Sequence, residues 1–270
     1  EINRSNEFIK LEGRTISMGN FAEAIAFVIG GSLAEISLRT PFYYQVVIAF
    51  TGFTIALFLI EPKGDRLQDG KRKPWRNIKK IIHYAMIENN ILRAYIFYSA
   101  IFGAATLTMA WLVQPYFKML GLQLIFFGLI GAGLNLAVAF SAFYAHLIER
   151  KISTKTFLSI LLLLLVTCYF TLAYINSLWS LFVLLLFYLT RGVATPVLRH
   201  HINRQIPSNM RATIMSIRSF IIRILFASTS PIFGYVADLY SLQYALYLSG
   251  SLFLFFGLIV LIYLLKQTEI

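Results

Sequence analysis

The chain has 270 residues, 58% of them hydrophobic and only 13% charged, with a mean hydropathy of +0.71. An ordinary water-soluble domain carries about 25% charged residues, so a surface this apolar needs a bilayer for solvent, and a soluble globular domain is excluded. A net charge of +12 and a pI near 9.8 would suit a nucleic-acid partner, but the basic residues sit in the gaps between long apolar runs, as they do in membrane-protein loops; no nucleic-acid partner is expected.

A transmembrane helix needs about 20 mainly apolar residues. In chain order such stretches fall at 16–38 and 42–60, then, after a polar connection, at 92–114, 121–145, 156–174, 177–197, 213–237 and 242–265. Backbone polar groups in lipid must be satisfied within a segment, so a helical bundle is the fold this pattern allows. The expectation is an all-α, polytopic helical membrane protein with about eight spans. The connection 61–90 opens with Glu61-Pro62-Lys63-Gly64 and carries Lys71-Arg72-Lys73. From Trp75 its spacing turns helical, with Trp75, Ile78, Ile81, Ile82 and Ala85 on one side and Arg76, Lys79, Lys80 and His83 on the other. Such a helix lies in the headgroup layer and meets anionic lipid over 71–85; a calmodulin-type target has a similar look. The chain starts at Glu1 in a polar stretch that is not a signal peptide, which suggests an excerpt from a longer protein.

Alternate connections differ sharply in basic residues. Arg4, Lys10 and Arg14, the segment 61–93, Arg150, Lys151 and Lys155, Arg199, Arg204 and Arg211, and Lys266 share one side, while the other has Arg39 and Lys118. Both ends and the long connection are therefore expected to be cytoplasmic. Asn3-Arg4-Ser5 matches a glycosylation acceptor but falls on that side. Cys168 stands alone, which excludes a disulfide framework or a cysteine metal cage. His200 and His201 are adjacent, so their side chains diverge, and no carboxylate cluster lies near; no metal and no cofactor are expected. The spans lack a phosphate-cradling glycine loop and a nucleophile elbow, so ATP-driven transport and an enzyme are not supported.

The first and seventh spans echo each other. Arg14-Thr15-Ile16-Ser17 opens one and Gly31-Ser32-Leu33-Ala34-Glu35 closes it; Arg211-Ala212-Thr213-Ile214-Met215-Ser216 opens the other and Gly234-Tyr235-Val236-Ala237-Asp238 closes it. Duplicated bundles produce such echoes. With the run Ile206-Pro207-Ser208-Asn209-Met210 leading into Arg211-Ala212-Thr213, and Pro231, Gly234 and Asp238 at its end, the chain resembles the major facilitator superfamily. The resemblance implies two six-helix bundles joined by a cytoplasmic loop. Residues 1–60 would supply the last two helices of the first bundle, 61–91 the loop with its amphipathic helix, and 92–270 the second bundle. It further implies helices of the same protein before Glu1, a monomeric permease, and a bacterial cytoplasmic (inner) membrane. Two departures stand out. The family's cytoplasmic turn Ala-Asp-Arg-x-Gly-Arg-Arg/Lys has as its counterpart Ala145-His146-Leu147-Ile148-Glu149-Arg150-Lys151, which keeps the basic pair and lacks the Asp, first Arg and Gly. The first span has Gly19, Gly30 and Gly31 but no Gly-Pro, so the antiporter sign is weak.

Ionisable side chains within a span cost about 2.5–3.5 kcal/mol each at a helix centre and persist when they line a wet cavity or find partners. Four stand out: Glu23, Arg191, Arg218 and Arg223. By helical rise Arg223 lies about 18 Å beyond Arg211 and Glu23 about 13 Å inside its span, too deep to escape, while Arg218 and Arg191 could snorkel. Glu23, Arg218 and Arg223 are expected to serve coupling or gating, with Glu23 either exchanging a proton or pairing with an arginine of the second bundle. Arg191 and Arg223 could equally hold an anionic substrate. Tyr188, Asn20, Asn135 and Gln114 are cavity candidates, though interhelical hydrogen bonds would also explain them. Gly128, Gly131 and Gly133 are expected to allow close helix packing, and the aromatics to face lipid, with Trp111, Trp179 and Tyr174 at the outer interface.

The leading reading is a secondary carrier of a small solute, working by alternating access on a substrate or proton gradient. Apolar spans with few mid-membrane polar groups favour export of amphipathic compounds over sugar or metabolite uptake. The competing classes are a non-transporting sensor or scaffold and a membrane-embedded enzyme.

Overall fold

The computed structural model describes residues 8–59, 74–149 and 151–267. The helices are α1 (Phe8–Ile36), α2 (Thr40–Leu57), α3 (Pro74–His83), α4 (Asn90–Met119), α5 (Leu124–Glu149), α6 (Thr154–Tyr174), α7 (Ser180–Arg204), α8 (Arg211–Leu239) and α9 (Leu242–Gln267). All but α3 are long and apolar enough to cross a membrane, and the described residues contain no strand. The expected all-α, eight-span architecture is observed.

Local chemistry sets the boundaries. Asn89 caps α4, its side-chain oxygen accepting from Leu92 N at 2.9 Å, and Ser153 caps α6 by accepting from Thr156 N at 3.2 Å. Between α4 and α5 the chain turns at Gly121, whose φ of +73° favours a residue without a Cβ. Several helices outrun their hydropathy windows. The first span begins at Phe8 rather than 16, and α7 continues to Arg204. Charged residues such as Lys10, Glu12 and Arg14 lower the mean hydropathy, but they are good helix formers and do not interrupt backbone bonding.

The core lies among α4–α9. Tyr98 donates to the Leu158 carbonyl (2.6 Å), Tyr169 to the Ala105 carbonyl (2.6 Å) and Tyr116 to the Ile175 carbonyl (2.8 Å), tying α4 to the region of α6 at three levels. The expectation of lipid-facing phenylalanines with tyrosine and tryptophan at the interface therefore needs correcting for these three buried tyrosines, whose phenols find carbonyl partners inside the bundle. Trp111, Trp179 and Tyr174 are exposed. At its N-terminus α4 is pinned by Arg93, which donates to the Met86 carbonyl (3.0 Å) and to Tyr263 Oη (2.8 Å) on α9.

Against this group lies α1, running along α5 and touching α7, with α2 packed chiefly on α1. A Cβ on Gly13 would collide with the Ala142 carbonyl, and one on Gly31 would lie 2.9 Å from Gly128 Cα, so the backbones of α1 and α5 meet near both ends. Gly131 accommodates the Phe27 ring, but Gly133 faces open space and is not a packing glycine. No residue of α2 is buried, and its Phe42 and Phe50 are exposed; water would not tolerate such a face, and lipid does.

The amphipathic segment forms α3 followed by one π-helical turn, Tyr84–Glu88. Ala85 is fully buried and Ile81 packs on the core, whereas Trp75, Ile78, Ile82, Lys79 and Lys80 are exposed. The expectations for Asn3-Arg4-Ser5, Glu61-Pro62-Lys63-Gly64, Lys71-Arg72-Lys73, Arg150 and the Arg76 side chain lie outside what the structure describes.

Candidate functional site

Two cavities lie along α1. The end of the bundle where α1 and α8 begin and α7 ends is called the basic end here, after Arg14, Arg199, Arg204 and Arg211. At that end a vestibule of about 650 Å³ is lined by Phe8 and Glu12 of α1, Arg199 and Asn203 of α7, and Arg211, Arg218 and Arg223 of α8. Further along α1 a second cavity, of about 120 Å³, brings together Glu23, Gln114, Asn135, Tyr188 and Arg191 with the rings of Phe27, Phe117 and Phe127.

Glu12 and Arg199 form an ion pair between α1 and α7 at the wall of the vestibule. Glu12 escaped the sequence reading because it precedes the hydropathy window. Once α1 is known to start at Phe8 a signal exists: Glu12 and Glu23 are eleven residues apart, about three turns, and share one face of the helix. The expected interbundle ion pair of Glu23 is not formed among the described residues. Glu23 shares its cavity with Arg191, whose guanidinium carbon lies 5.7 Å from the centre of the Tyr188 ring, a cation–π contact.

Depth along α8 does not order the exposure of its two arginines. Arg218, shallow enough that it could snorkel, is 6% exposed and donates from Nε to Ser99 Oγ at 2.6 Å, while the deeper Arg223 is exposed to the vestibule. Depth along a helix does not fix azimuth. Arg218 lies seven residues after Arg211, on the stripe with the buried Ile214, and Arg223 is rotated well away from it.

Asn20 joins neither cavity; its Nδ2 donates to the Ile16 carbonyl at 2.9 Å and its Oδ1 is buried without a partner. Asn135 lines the second cavity while its Nδ2 donates to Gly131 O at 2.9 Å, so both asparagines bond within their own helices. His201 stacks on Tyr95 (5.4 Å, 9°) and His200 lies against Phe8 (6.0 Å), so each imidazole is packed on an aromatic ring.

α1 and α8, the pair that echo each other in sequence, have few buried residues and both line the vestibule. A sequence model described as Major Facilitator Superfamily matches residues 10–229. The chain belongs to the Major Facilitator Superfamily. A comparison with curated protein sequences finds no match. Members of the Major Facilitator Superfamily are secondary transporters and not enzymes; they are integral membrane proteins that bind small-molecule substrates and typically act as monomers. Of this chain's 145–151 turn, Ala145 is fully buried and His146 Nδ1 lies 3.1 Å from the Phe143 carbonyl.

Proposed function

We propose that the protein carries a small amphipathic solute by alternating access, with the Glu12–Arg199 pair as the latch at the basic end and the cavity of Glu23 and Arg191 as the transport site. The observation that carries this reading is the order of parts along α1 and α7. The ion pair ties α1 to α7 at one end, and a carboxylate and a guanidinium without an ion pair among the described residues face a common cavity about 12–16 Å deeper by helical rise. Ions within a membrane persist when they serve a pathway, and a pair bridging two moving bodies can be made on one side and broken on the other.

In this reading α1 and α2 belong to a first bundle, whose further helices cover α2 and the exposed flank of α1. Residues 61–91 form the connection and α4–α9 the second bundle. The basic end faces the cytoplasm of a bacterial inner membrane, and α3 rests among anionic headgroups with Lys79 and Lys80 outward. Glu23 exchanges the coupling proton. The Phe27, Phe117 and Phe127 rings favour amphipathic export; Gln114 and Asn135 support a second reading, uptake of a polar metabolite.

The test is flux in proteoliposomes under an imposed proton gradient, using a panel of amphipathic dyes and small metabolites. Gradient-dependent flux that is lost in Glu23→Gln is expected. Flux and a pH profile unchanged by that substitution refute the role of Glu23, and absence of gradient-dependent flux for every solute refutes the carrier reading.

A further inference from the structure

The vestibule is unusually one-sided in charge. Arg199, Arg211, Arg218 and Arg223 line it with a single carboxylate, Glu12, which Arg199 already engages. Arg218 is the most demanding of the four. It is nine-tenths buried within a membrane-spanning helix, and its hydrogen bond from Nε reaches a neutral hydroxyl, Ser99 Oγ, at 2.6 Å. A guanidinium has five N–H donors, so the remaining donors of Arg218 are available to the space it lines. Burying a cation is costly without a counter-charge; among the described residues no carboxylate pairs with Arg218 directly, and Glu12, which acts on it from a distance, is engaged by Arg199. One further donor in the same wall, Arg199 Nε, is buried without a partner among the described residues. A volume of about 650 Å³ lies in the range of small-molecule sites.

We infer that the vestibule is an anion site, which takes the carboxylate or phosphate group of a free organic solute on Arg218 and Arg223. A planar guanidinium binds either group in bidentate fashion, and Met215 and Phe220, which also line the vestibule, offer an apolar contact for the rest of the solute. Resting on the carrier reading above, this narrows the solute from amphipathic compounds to amphipathic anions. The same groups occur on an anionic lipid headgroup, so the source has to be tested.

The intact protein is placed in nanodiscs of phosphatidylcholine, and its thermal unfolding is followed with added succinate or inorganic phosphate, against potassium chloride at equal ionic strength. A ligand that binds the folded state raises the unfolding temperature in proportion to its occupancy. Stabilisation by succinate or phosphate beyond that by chloride is expected, with affinity reduced about tenfold or more in Arg223→Gln, whose side chain is exposed, and reduced less in Arg218→Lys, which keeps the charge and loses the bidentate fork. Equal stabilisation by chloride, or stabilisation indifferent to Arg223, overturns the inference. Stabilisation only when phosphatidylglycerol replaces part of the phosphatidylcholine assigns the site to a headgroup and overturns the free-solute assignment. Gradient-driven flux of neutral or cationic dyes without anion binding refutes this inference alone; anion binding without flux of any solute refutes the carrier reading alone.

Discussion

The Glu12–Arg199 pair lends itself to a quantitative test. With side chains 19% and 37% exposed, the pair is more sheltered than a surface ion pair, for which 0.2–1 kcal/mol is usual, yet is still screened by the water of the vestibule. A contribution of about 1 kcal/mol to the latched arrangement follows, and its loss shifts the open-to-closed ratio roughly fivefold. Leu134 is buried and lines the deeper cavity, so a cysteine placed there is shielded while the latch is closed and reports opening. With the buried Cys168 replaced by alanine to leave a single reactive thiol, the rate of alkylation by a membrane-impermeant maleimide is measured from the basic end. Glu12→Gln is expected to raise that rate roughly fivefold, and the charge swap Glu12→Arg with Arg199→Glu to restore it. An unchanged rate in the single variant, or a swap that fails to restore it in a protein of normal thermal stability, refutes the latch.

Other consequences are equally concrete. Gly31→Val forces a side chain against the Gly128 backbone, where a Cβ already lies at 2.9 Å, whereas Gly133→Val enters open space; the first is expected to lower stability by about 1–3 kcal/mol and the second to leave thermal unfolding nearly unchanged. Tyr169→Phe removes the bond to the Ala105 carbonyl and is expected to cost about 1 kcal/mol, with the exposed Tyr174→Phe as the control that loses nothing. Tyr188→Phe keeps the ring beneath Arg191 and is expected to preserve flux better than Tyr188→Leu, which removes the cation–π contact; equal flux in the two variants would show that the ring is not used. Trp75→Ala is expected to weaken binding of an isolated 74–88 peptide to phosphatidylglycerol vesicles, as measured by sedimentation, because the exposed indole is the largest apolar group on α3.

The spans were legible because a bilayer leaves a chain few choices: length and apolarity nearly determine a crossing helix. What was hidden was azimuth and what lies beyond the window. Glu12 sits in a polar turn that hydropathy assigns to a loop, and its partner Arg199 is distant in sequence, so that neither end of the pair announces itself. Depth alone does not distinguish Arg218 from Arg223, because five residues of helix turn a side chain by well over a quarter circle, and that rotation decides which is buried. Glu23, Arg191, Tyr188, Asn135 and Gln114 did converge on one cavity, because polar groups on antiparallel spans are costly unless they share an interior. Asn20 satisfied its amide on its own helix and needed no cavity.

The seam between α1 and α5 has a mechanical consequence. Its two close contacts, Gly13 with Ala142 and Gly31 with Gly128, are about 27 Å apart by helical rise, and two fixed points leave a rigid body one freedom, rotation about the line through them. A motion that preserves both contacts is a swing rather than a slide. Displacement then grows with distance from the seam, so the vestibule widens most at the wall furthest from α5, while the helices nearest the axis carry the load and barely move.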